Sequence, residues 1–200
     1  MNYKLLLATN NQAKIREYRS LFQNIPLELV TLAEQGIATI VDETGESLEE
    51  NARLKATFLA TESQLLALAD DSGLEVDALG GEPGWLSARY AGEGASDKDR
   101  VNYLMSRLEN VPWQQRSARF RCVIALATPS GEVEFCSGEC QGFITFEPKG
   151  EQGFGYDPIF YLPELGKTMA ELPLETKNRV SHRGQAARKV YQVLKKQPLN

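Results

Sequence analysis

Short apolar runs alternate with amphipathic stretches along the chain, and this pattern predicts a mixed α/β protein. In the first half, residues 4–8, 27–32, 65–69 and 74–79 are apolar runs that we interpret as strands. The stretches between them repeat apolar side chains at the three- and four-residue spacing of an amphipathic helix. Three predicted helices carry these apolar positions: Ile15, Tyr18 and Phe22; Ala52, Ala56 and Leu59; Val101, Leu104, Met105 and Leu108.

The second half reads as a β-meander followed by a helix. Residues 119–127 and 132–137 flank Pro129-Ser130-Gly131, a hairpin signature, and residues 142–146 predict a third antiparallel strand. Residues 184–196 predict a basic terminal helix. We therefore expect residues 1–200 to form a single α/β domain with one mixed sheet and helices on both faces. If the meander twists away from the first half, a cleft between two lobes follows.

Charge and composition narrow the function classes. Lys and Arg number 22 against 27 Asp and Glu, which gives a net charge of −5 and disfavours an RNA-binding module. The single histidine, His182, excludes a mechanism or metal site that needs two histidines. The apolar run near the N-terminus is too short for a signal sequence or a membrane span, so we expect a cytoplasmic protein that binds no membrane. Three cysteines without CxxC spacing predict reduced thiols.

The segment between the first predicted strand and helix has the residue types of an anion site: Thr9, Asn10, Asn11, Gln12, Ala13 and Lys14. A helix start offers unpaired N–H groups and a positive dipole end, which suit a phosphate. The segment lacks the glycines of a Walker A loop. The alternative interpretation is an ordinary N-cap followed by a solvated lysine.

Carboxylates gather near the end of the third predicted strand. Asp70 and Asp71 close it, and Ser72-Gly73 is expected to turn the chain. Glu43 precedes the capping-box pattern Ser47–Glu50. One or two carboxylates with phosphate oxygens and water commonly hold Mg²⁺. Asp70 and Asp71 could instead be turn formers. Lys55 either extends to solvent or points a cation towards these acids.

Two later segments complete the set of groups that a nucleotide needs. The glycines around Phe154, Gly155, Tyr156 and Asp157 would let the backbone approach a flat ligand and present Phe154 for stacking on a base. The alternative is a tight turn around a core phenylalanine. The basic segment with Lys177, His182 and Arg183, interpreted as a loop before the last helix, offers donors to phosphate and carbonyl oxygens.

Several long motifs, in order, resemble the inosine triphosphate pyrophosphatase family, and in particular its bacterial dITP/XTP pyrophosphatases. They span nearly the whole chain: Ala8-Thr9-Asn10-Asn11-Gln12-Ala13-Lys14 with Glu17, Glu43-Thr44-Gly45 with Glu50-Asn51-Ala52 and Lys55, Ala69-Asp70-Asp71-Ser72-Gly73-Leu74, Gly84-Trp85-Leu86-Ser87-Ala88-Arg89-Tyr90, Gly153-Phe154-Gly155-Tyr156-Asp157-Pro158-Ile159-Phe160 and Ser181-His182-Arg183-Gly184. Two positions depart from the family pattern. Asn10 stands where glycine is frequent, and Thr176 stands where an acidic residue is common.

The resemblance implies an elongated α/β fold with a twisted mixed sheet, a central cleft between two lobes and a homodimer. It implies Mg²⁺-dependent hydrolysis of ITP, dITP, XTP or dXTP to the monophosphate and pyrophosphate, which cleanses the nucleotide pool. Carried onto this sequence, it assigns Asp71 as catalytic residue and metal ligand, with Glu43 as the other metal ligand. The residues that it assigns to the substrate are Thr9 to Lys14, Lys55, Ser72, Phe154 to Asp157, Lys177, His182 and Arg183.

Selectivity has a plausible chemical origin in the base edge. Donors from His182 and Arg183 would pair with the carbonyl at C6 of hypoxanthine or xanthine and would face a donor on adenine. Two rival functions stay open: a Maf-type pyrophosphatase acting on modified or pyrimidine nucleotides, and a non-hydrolytic nucleotide-binding protein. The second would not need both Glu43 and Asp71.

Overall fold

The chain, described here over residues 3–196 of a computed structural model, forms one twisted mixed sheet of eight strands flanked by helices. This confirms the predicted α/β class. The strands are β1 (Lys4–Leu7), β2 (Glu28–Thr31), β3 (Leu66–Val76), β4 (Pro83–Gly84), β5 (Ser117–Ala127), β6 (Val133–Ile144), β7 (Phe160–Leu162) and β8 (Lys167–Thr168). The α-helices are α1 (Gln12–Phe22), α2 (Leu48–Ser63), α3 (Asp97–Arg107), α4 (Leu174–Val180) and α5 (His182–Lys196).

The order of neighbouring strands is β2-β1-β3-β5-β6-β7-β8, and β4 pairs with β3. β1 runs parallel to both β2 and β3, whereas β4 is antiparallel to β3 and β7 is antiparallel to β6 and β8. Parallel neighbours need crossover connections, and the helices α1 and α2 supply them. The mixture of directions follows from the helical first half and the meander that comes after it.

The prediction of two strands over 65–69 and 74–79 with a turn between them is wrong, because residues of both segments belong to β3. It runs unbroken through Asp70, Asp71 and Ser72 because partners hold both of its halves: β1 pairs with its start and β4 with its end. Gly73 permits a close approach within this strand, since a Cβ atom there would lie 2.2 Å from the carbonyl oxygen of Gly84. Residues 77–79 form a 3₁₀ turn, so the predicted strand over 74–79 also ends early.

Strand β6 corrects a second prediction, because the segments expected over 132–137 and 142–146 form one strand. Cys136, Gly138, Cys140 and Gly142 are buried, and the residues between them are exposed. Two of these four buried residues are glycines, which have no apolar side chain. The alternation of buried and exposed positions therefore continues, but the sequence does not show it. The predictions also missed β7, β8 and α4; α4 carries Lys177, which had been placed in a loop.

The chain divides into two compact units, each with its own apolar core. Among the described residues, unit 1 comprises residues 3–71, 122–138 and 183–196, and unit 2 comprises residues 72–121 and 139–182. The core of unit 1 buries the predicted stripe of α1 and the apolar face of α5. The core of unit 2 buries Val101 and Leu104 of α3 and Leu108 directly after it, together with residues of β5 to β7. The predicted cleft between two lobes stays a prediction.

Two helices begin with a serine cap. Ser96 and Asp99 form a reciprocal capping box at the start of α3. Ser47 caps α2 by accepting from the Glu50 N–H, but the Glu50 side chain accepts from the Glu46 N–H, so the predicted box is only half formed. Over residues 3–196, no helix has the length and the apolar character that crossing a membrane requires.

Candidate functional site

The segment from Thr9 to Lys14 joins β1 to α1 and largely satisfies its own hydrogen bonds. The Asn11 side chain accepts from the N–H groups of Ala13 and Lys14 at 2.9 and 3.2 Å. Thr9 Oγ1 accepts from the Asn11 N–H at 3.2 Å, and the Gln12 side chain donates to the Asn10 carbonyl. Asn11 therefore caps α1, but Lys14 is not the solvated lysine of that interpretation, since its side chain is only 14% exposed and its ammonium lies 3.0 Å from Asp70 Oδ1. An anion at this helix start would meet exposed side chains and Lys14 more readily than those two capped N–H groups.

Asp70 lies at the centre of the charged groups of unit 1. Its side chain has no solvent exposure, and its carboxylate contacts Lys14 Nζ at 3.0 Å and Arg183 Nη2 at 3.1 Å. Burial alone would raise the pKa of this carboxyl, but the charges of Lys14 and Arg183 outweigh it and hold the pKa well below its usual value. Asp70 is therefore ionised and forms part of a buried ion network.

Lys55 connects the two proposed metal ligands, Glu43 and Asp71. Its ammonium lies 2.6 Å from Glu43 Oε1 and 3.8 Å from Asp71 Oδ1, and it donates to the Asp70 carbonyl at 2.8 Å. Of the two sequence interpretations, the one that points Lys55 towards the acids is the one that the structure shows. Burial raises the pKa of Asp71, and Lys55 only partly offsets this effect. Burial would lower the pKa of Lys55, but Asp71 and Glu43 raise it above its ordinary value.

Arg183 is buried in unit 1, at the start of α5. Its guanidinium donates to Asp70 Oδ2 from Nε and Nη2, and to Glu17 Oε2 from Nη1 at 2.7 Å. Burial would lower the pKa of Arg183, but Asp70 and Glu17 raise it well above its usual value. The prediction that Arg183 reads a base edge therefore stays a prediction, and this structure adds a second role for it as the cation between two buried carboxylates.

Two residues of this network were not predicted as site residues: Glu17 was named only within a family motif, and Tyr18 only as an apolar position of the first helix. Glu17 is only 3% exposed, and it lies beside Tyr18 on α1. The Tyr18 hydroxyl is buried without a hydrogen-bond partner among residues 3–196, and burial, with the charge of Asp70, raises the pKa of Tyr18 well above its ordinary value. The sequence offers one signal for Glu17: an acidic residue next to the apolar positions of α1. Acids in that position are also common on solvent-exposed helix faces, so the signal is not specific.

In unit 2, the glycine-rich segment folds as a tight turn around Asp157. Gly153 has a φ of +77°, and a Cβ atom there would lie 2.0 Å from Asp157 Oδ2. The same carboxylate oxygen accepts from the Phe154 N–H at 2.8 Å. The Gly155 N–H donates to Asp97 Oδ2 at 2.7 Å, and the Tyr156 hydroxyl donates to the Ser87 carbonyl. These last two hydrogen bonds attach the turn to the rest of unit 2.

Lys177 and Asp157 form a buried ion pair under this turn. Both residues are 2–3% exposed, and Lys177 Nζ also lies 4.9 Å from the centre of the Phe154 ring. Phe154 itself is half-buried, so it is not a core phenylalanine. Tyr156 is buried, and its burial raises the pKa of its hydroxyl. The Phe154 ring, which we expect to stack on a base, thus lies next to the Lys177 ammonium, and Asp157 is the ion-pair partner of that ammonium.

His182 ends the part of the chain that belongs to unit 2. Its ring is 3% exposed and stacks on Phe120, with ring centres 4.7 Å apart and an angle of 14° between the planes. This packing sets the plane of the imidazole. Ser72, the remaining predicted residue, follows Asp71 directly on β3 and is half-buried. Of the predicted site residues, Lys14, Glu43, Lys55, Asp71 and Arg183 belong to the charged group of unit 1. Phe154 to Asp157 and Lys177 form the aromatic turn and its ion pair in unit 2, the unit to which Ser72 and His182 also belong.

The charged group contains oxygen ligands of the kind that a divalent cation needs. Glu43 and Asp71 both contact one ammonium, so two hard oxygen donors already lie around a single positive charge. Within residues 3–196, no cluster of three or more histidines, cysteines or acids could hold a metal by itself. Two carboxylates completed by phosphate oxygens and water fit Mg²⁺, which keeps much of its hydration in proteins.

Comparisons with known proteins identify the family along nearly the whole chain. The sequence profile of the Ham1 family matches residues 5–193. A dITP/XTP pyrophosphatase of Geobacter sulfurreducens is 51% identical over 183 residues, 92% of each chain, and one of Desulforamulus reducens is 50% identical over 96% of this chain and 95% of its own.

Solved structures give the same result. A HAM1 protein from Coxiella burnetii is 41% identical, with a TM-score of 0.88 over 98% of this chain and 100% of its own. The Ham1 protein of Staphylococcus aureus is 42% identical, with a TM-score of 0.85 over 96% and 98% of the two chains. Fold, motifs and sequence identity agree along nearly the whole length, and the chain belongs to the Ham1 family.

Proposed function

We propose that this protein is a Mg²⁺-dependent nucleoside triphosphate pyrophosphohydrolase that acts on ITP, dITP, XTP and dXTP. The observation that carries this proposal is the grouping of Glu43 and Asp71 around the Lys55 ammonium, beside Asp70 and Lys14. The grouping supplies carboxylates for a metal and lysines for a triphosphate. The curated relatives named dITP/XTP pyrophosphatases support the choice of substrate.

Glu43 and Asp71 are the residues that would hold Mg²⁺. The ion, when bound, would neutralise charge on the triphosphate and polarise its phosphoryl oxygens. Lys14 and Lys55, each 13–14% exposed, would bind phosphate oxygens by exchanging part of their present carboxylate contacts. Hydrolysis breaks the bond between the α- and β-phosphates, so the products are the nucleoside monophosphate and pyrophosphate.

Asp71 is also the proposed base. Its carboxylate would accept a hydrogen bond from the attacking water and take the proton that the water loses. A pKa raised by burial suits this task, because it brings the carboxylate closer to the basicity that proton abstraction needs. Lys55, held 3.8 Å from Asp71, would keep the carboxylate ionised before water is bound.

The groups in unit 2 are proposed to bind the nucleoside. Phe154 offers a ring face to the purine, and Lys177 supports that ring and carries a positive charge. We propose that the imidazole of His182 donates to the C6 carbonyl of the base. We also assign Arg183 as a donor to the C6 carbonyl. Arg183 binds Glu17 and Asp70 as well, so a substitution of Arg183 would change selectivity both directly and through these two acids.

A substrate panel tests the function. Pyrophosphate release should require Mg²⁺ and should be much faster with ITP, dITP and XTP than with GTP or ATP. The Asp71→Asn variant should lose at least about 100-fold in kcat and keep its fold, because a general base contributes on that scale. Asp77→Asn makes the same change in unit 2, at a carboxylate that accepts from the Ser117 hydroxyl at 2.6 Å, and should behave as the wild type.

The alternatives predict different panels. Turnover of UTP, dUTP or modified pyrimidine nucleotides in preference to ITP would favour a Maf-type enzyme. Binding of ITP without release of pyrophosphate would favour a non-hydrolytic nucleotide-binding protein. Either result would overturn the proposal.

Three further properties are part of the proposal. Residues 1–200 act as a single catalytic domain, the protein is a homodimer, and it works in the cytoplasm without nucleic-acid or membrane partners. The three buried thiols of Cys122, Cys136 and Cys140 suit a reducing compartment. Sedimentation velocity in the micromolar range checks the oligomeric state: a species of about 22 kDa, the mass of one chain, would contradict the homodimer.

A further inference from the structure

The ammonium of Lys55 lies where the two proposed metal ligands meet. It contacts Glu43 Oε1 at 2.6 Å and Asp71 Oδ1 at 3.8 Å, and it donates to the Asp70 carbonyl at 2.8 Å. The Lys55 side chain is only 13% exposed. Water therefore screens this cation weakly, and its interactions with the two carboxylates are strong.

Two like-charged carboxylates close together repel each other, and burial adds to the cost of keeping both ionised. Asp71 experiences both effects, since it is only 7% exposed and shares the Lys55 ammonium with Glu43. A cation between the two acids offsets this repulsion. The geometry thus gives Lys55 the electrostatic task that a divalent ion would have at the same carboxylates.

We propose that Lys55 is a placeholder for the metal ion: in the free protein it holds Glu43 and Asp71 together, and it leaves Glu43 when the metal and a triphosphate bind. This inference rests on the proposed function. Because the ammonium and the metal compete for the same carboxylates, the free protein should bind a divalent ion weakly. A triphosphate gives Lys55 another anionic partner, and it should therefore strengthen metal binding.

The loop that carries Glu43 has anchors other than Lys55. The Gly45 N–H donates to the buried side chain of Asn51 at 2.8 Å, and the Glu46 N–H donates to Glu50 Oε2 at 2.7 Å. Both acceptors lie on α2. Removal of the Lys55 charge should therefore leave the loop attached to the helix, so that the variant reports on electrostatics and not on loss of the loop.

A purely structural role for Lys55 predicts the opposite sign. If Lys55 mainly holds the Glu43 loop in place, its removal would disorder the ligands and weaken metal binding. If it is a placeholder, its removal strengthens metal binding in the absence of nucleotide. The sign of the change in metal affinity distinguishes the two roles, and activity alone would not, since both predict a slower enzyme.

The experiment measures Mn²⁺ binding, without nucleotide, by isothermal titration calorimetry and by the loss of the free Mn²⁺ electron paramagnetic resonance signal. Lys55→Met should bind Mn²⁺ about tenfold more tightly than the wild type, because it removes a competing charge that lies 2.6 Å from Glu43 and 3.8 Å from Asp71. Lys98→Met removes one positive charge at an exposed position of α3 and should leave the affinity unchanged. Unchanged or weaker binding by Lys55→Met would overturn the proposal.

Two further variants distinguish a failure of this inference from a failure of the proposed function. Glu43→Gln should weaken Mn²⁺ binding in both the wild-type and the Lys55→Met backgrounds. If it does not, the metal ligands are wrong and the proposed function fails. If it does, while Lys55→Met binds Mn²⁺ like the wild type, only the placeholder fails. Lys55→Gln, which keeps a polar side chain, repeats the test should Lys55→Met melt below the assay temperature by circular dichroism.

Discussion

At the scale of single residues, the two adjacent aspartates of β3 differ because their surroundings differ. Asp70 is ionised by Lys14 and Arg183, and its pKa is lowered despite burial. Asp71 is ionised less readily, and burial raises its pKa. One carboxylate therefore stabilises the folded protein, and its neighbour is suited to proton transfer. Adjacent side chains on a strand point to opposite faces, which permits such a division.

Asp70 should make the stability of the protein depend on acid pH. Its folded-state pKa is depressed, so its contribution is complete above the unfolded pKa of about 4 and is lost as pH falls towards the folded pKa. Asp70→Asn should lower the free energy of unfolding by about 3 kcal/mol near pH 7. Urea denaturation should show this difference shrinking below about pH 4. A difference that does not vary with pH would contradict the assignment.

Arg183 should be essential for stability as well as for selectivity. Arg183→Ala leaves Asp70 and Glu17 buried without the cation that joins them, and we expect a loss of about 3–5 kcal/mol in urea unfolding. Arg16→Ala, at an exposed position of α1, should change stability by less than about 0.5 kcal/mol. The ITP-to-ATP ratio of kcat/KM should also fall, and it must be measured at a temperature where the variant is folded. A fully stable Arg183→Ala protein would show that the network is dispensable.

At the scale of elements, the start of α1 combines a cap with a proposed phosphate contact. Asn11→Ala removes two hydrogen bonds to the first turn and should cost about 1 kcal/mol in thermal or urea unfolding. Asn11→Ser keeps a capping oxygen and should restore most of this stability. If Asn11 also contacts phosphate, KM for ITP should rise in the alanine variant. Stability equal to that of the wild type in Asn11→Ala would contradict the cap.

The aromatic turn of unit 2 depends on a residue from a different element. Asp97, the first residue of α3, accepts from the Gly155 N–H and pairs with Arg100. Asp97→Ala should raise KM for ITP about tenfold with a smaller change in kcat, because a displaced turn weakens binding more than chemistry. Glu93→Ala, which removes one exposed carboxylate nearby in sequence, is the matched control. Equal KM values for the two variants would remove Asp97 from the positioning of the turn.

At the scale of the whole molecule, the fold should not need the metal. Each unit has its own apolar core, and the proposed metal ligands lie outside both cores. Addition of EDTA should abolish pyrophosphate release and leave the melting temperature within about 2 °C of its value with Mg²⁺ alone. Unfolding on chelation would indicate a structural metal and would contradict the proposed role of the ion.

Much of the architecture was predictable because its signals are local. Caps and apolar periodicity identified α1, α2, α3 and α5, and an apolar run beside a turn signature identified β5. Short elements in the last third were missed, because β7, β8 and α4 have two to seven residues and too little periodicity to recognise. The continuity of β3 was missed for a different reason. An Asp-Asp-Ser-Gly sequence favours a turn locally, and pairing with β1, β4 and β5 keeps it extended.

The sequence by itself determined the fold class, the family and the identity of the candidate residues, since these depend on residue types in order along the chain. The tertiary structure decided which charges meet. Arg183 reaches Asp70 and Glu17 across 113 and 166 positions of sequence, and Lys55 reaches both Glu43 and Asp71. Coulomb energy depends on distance and burial, which the order of residues does not specify. For that reason the placeholder lysine and the buried arginine became visible only in the folded chain.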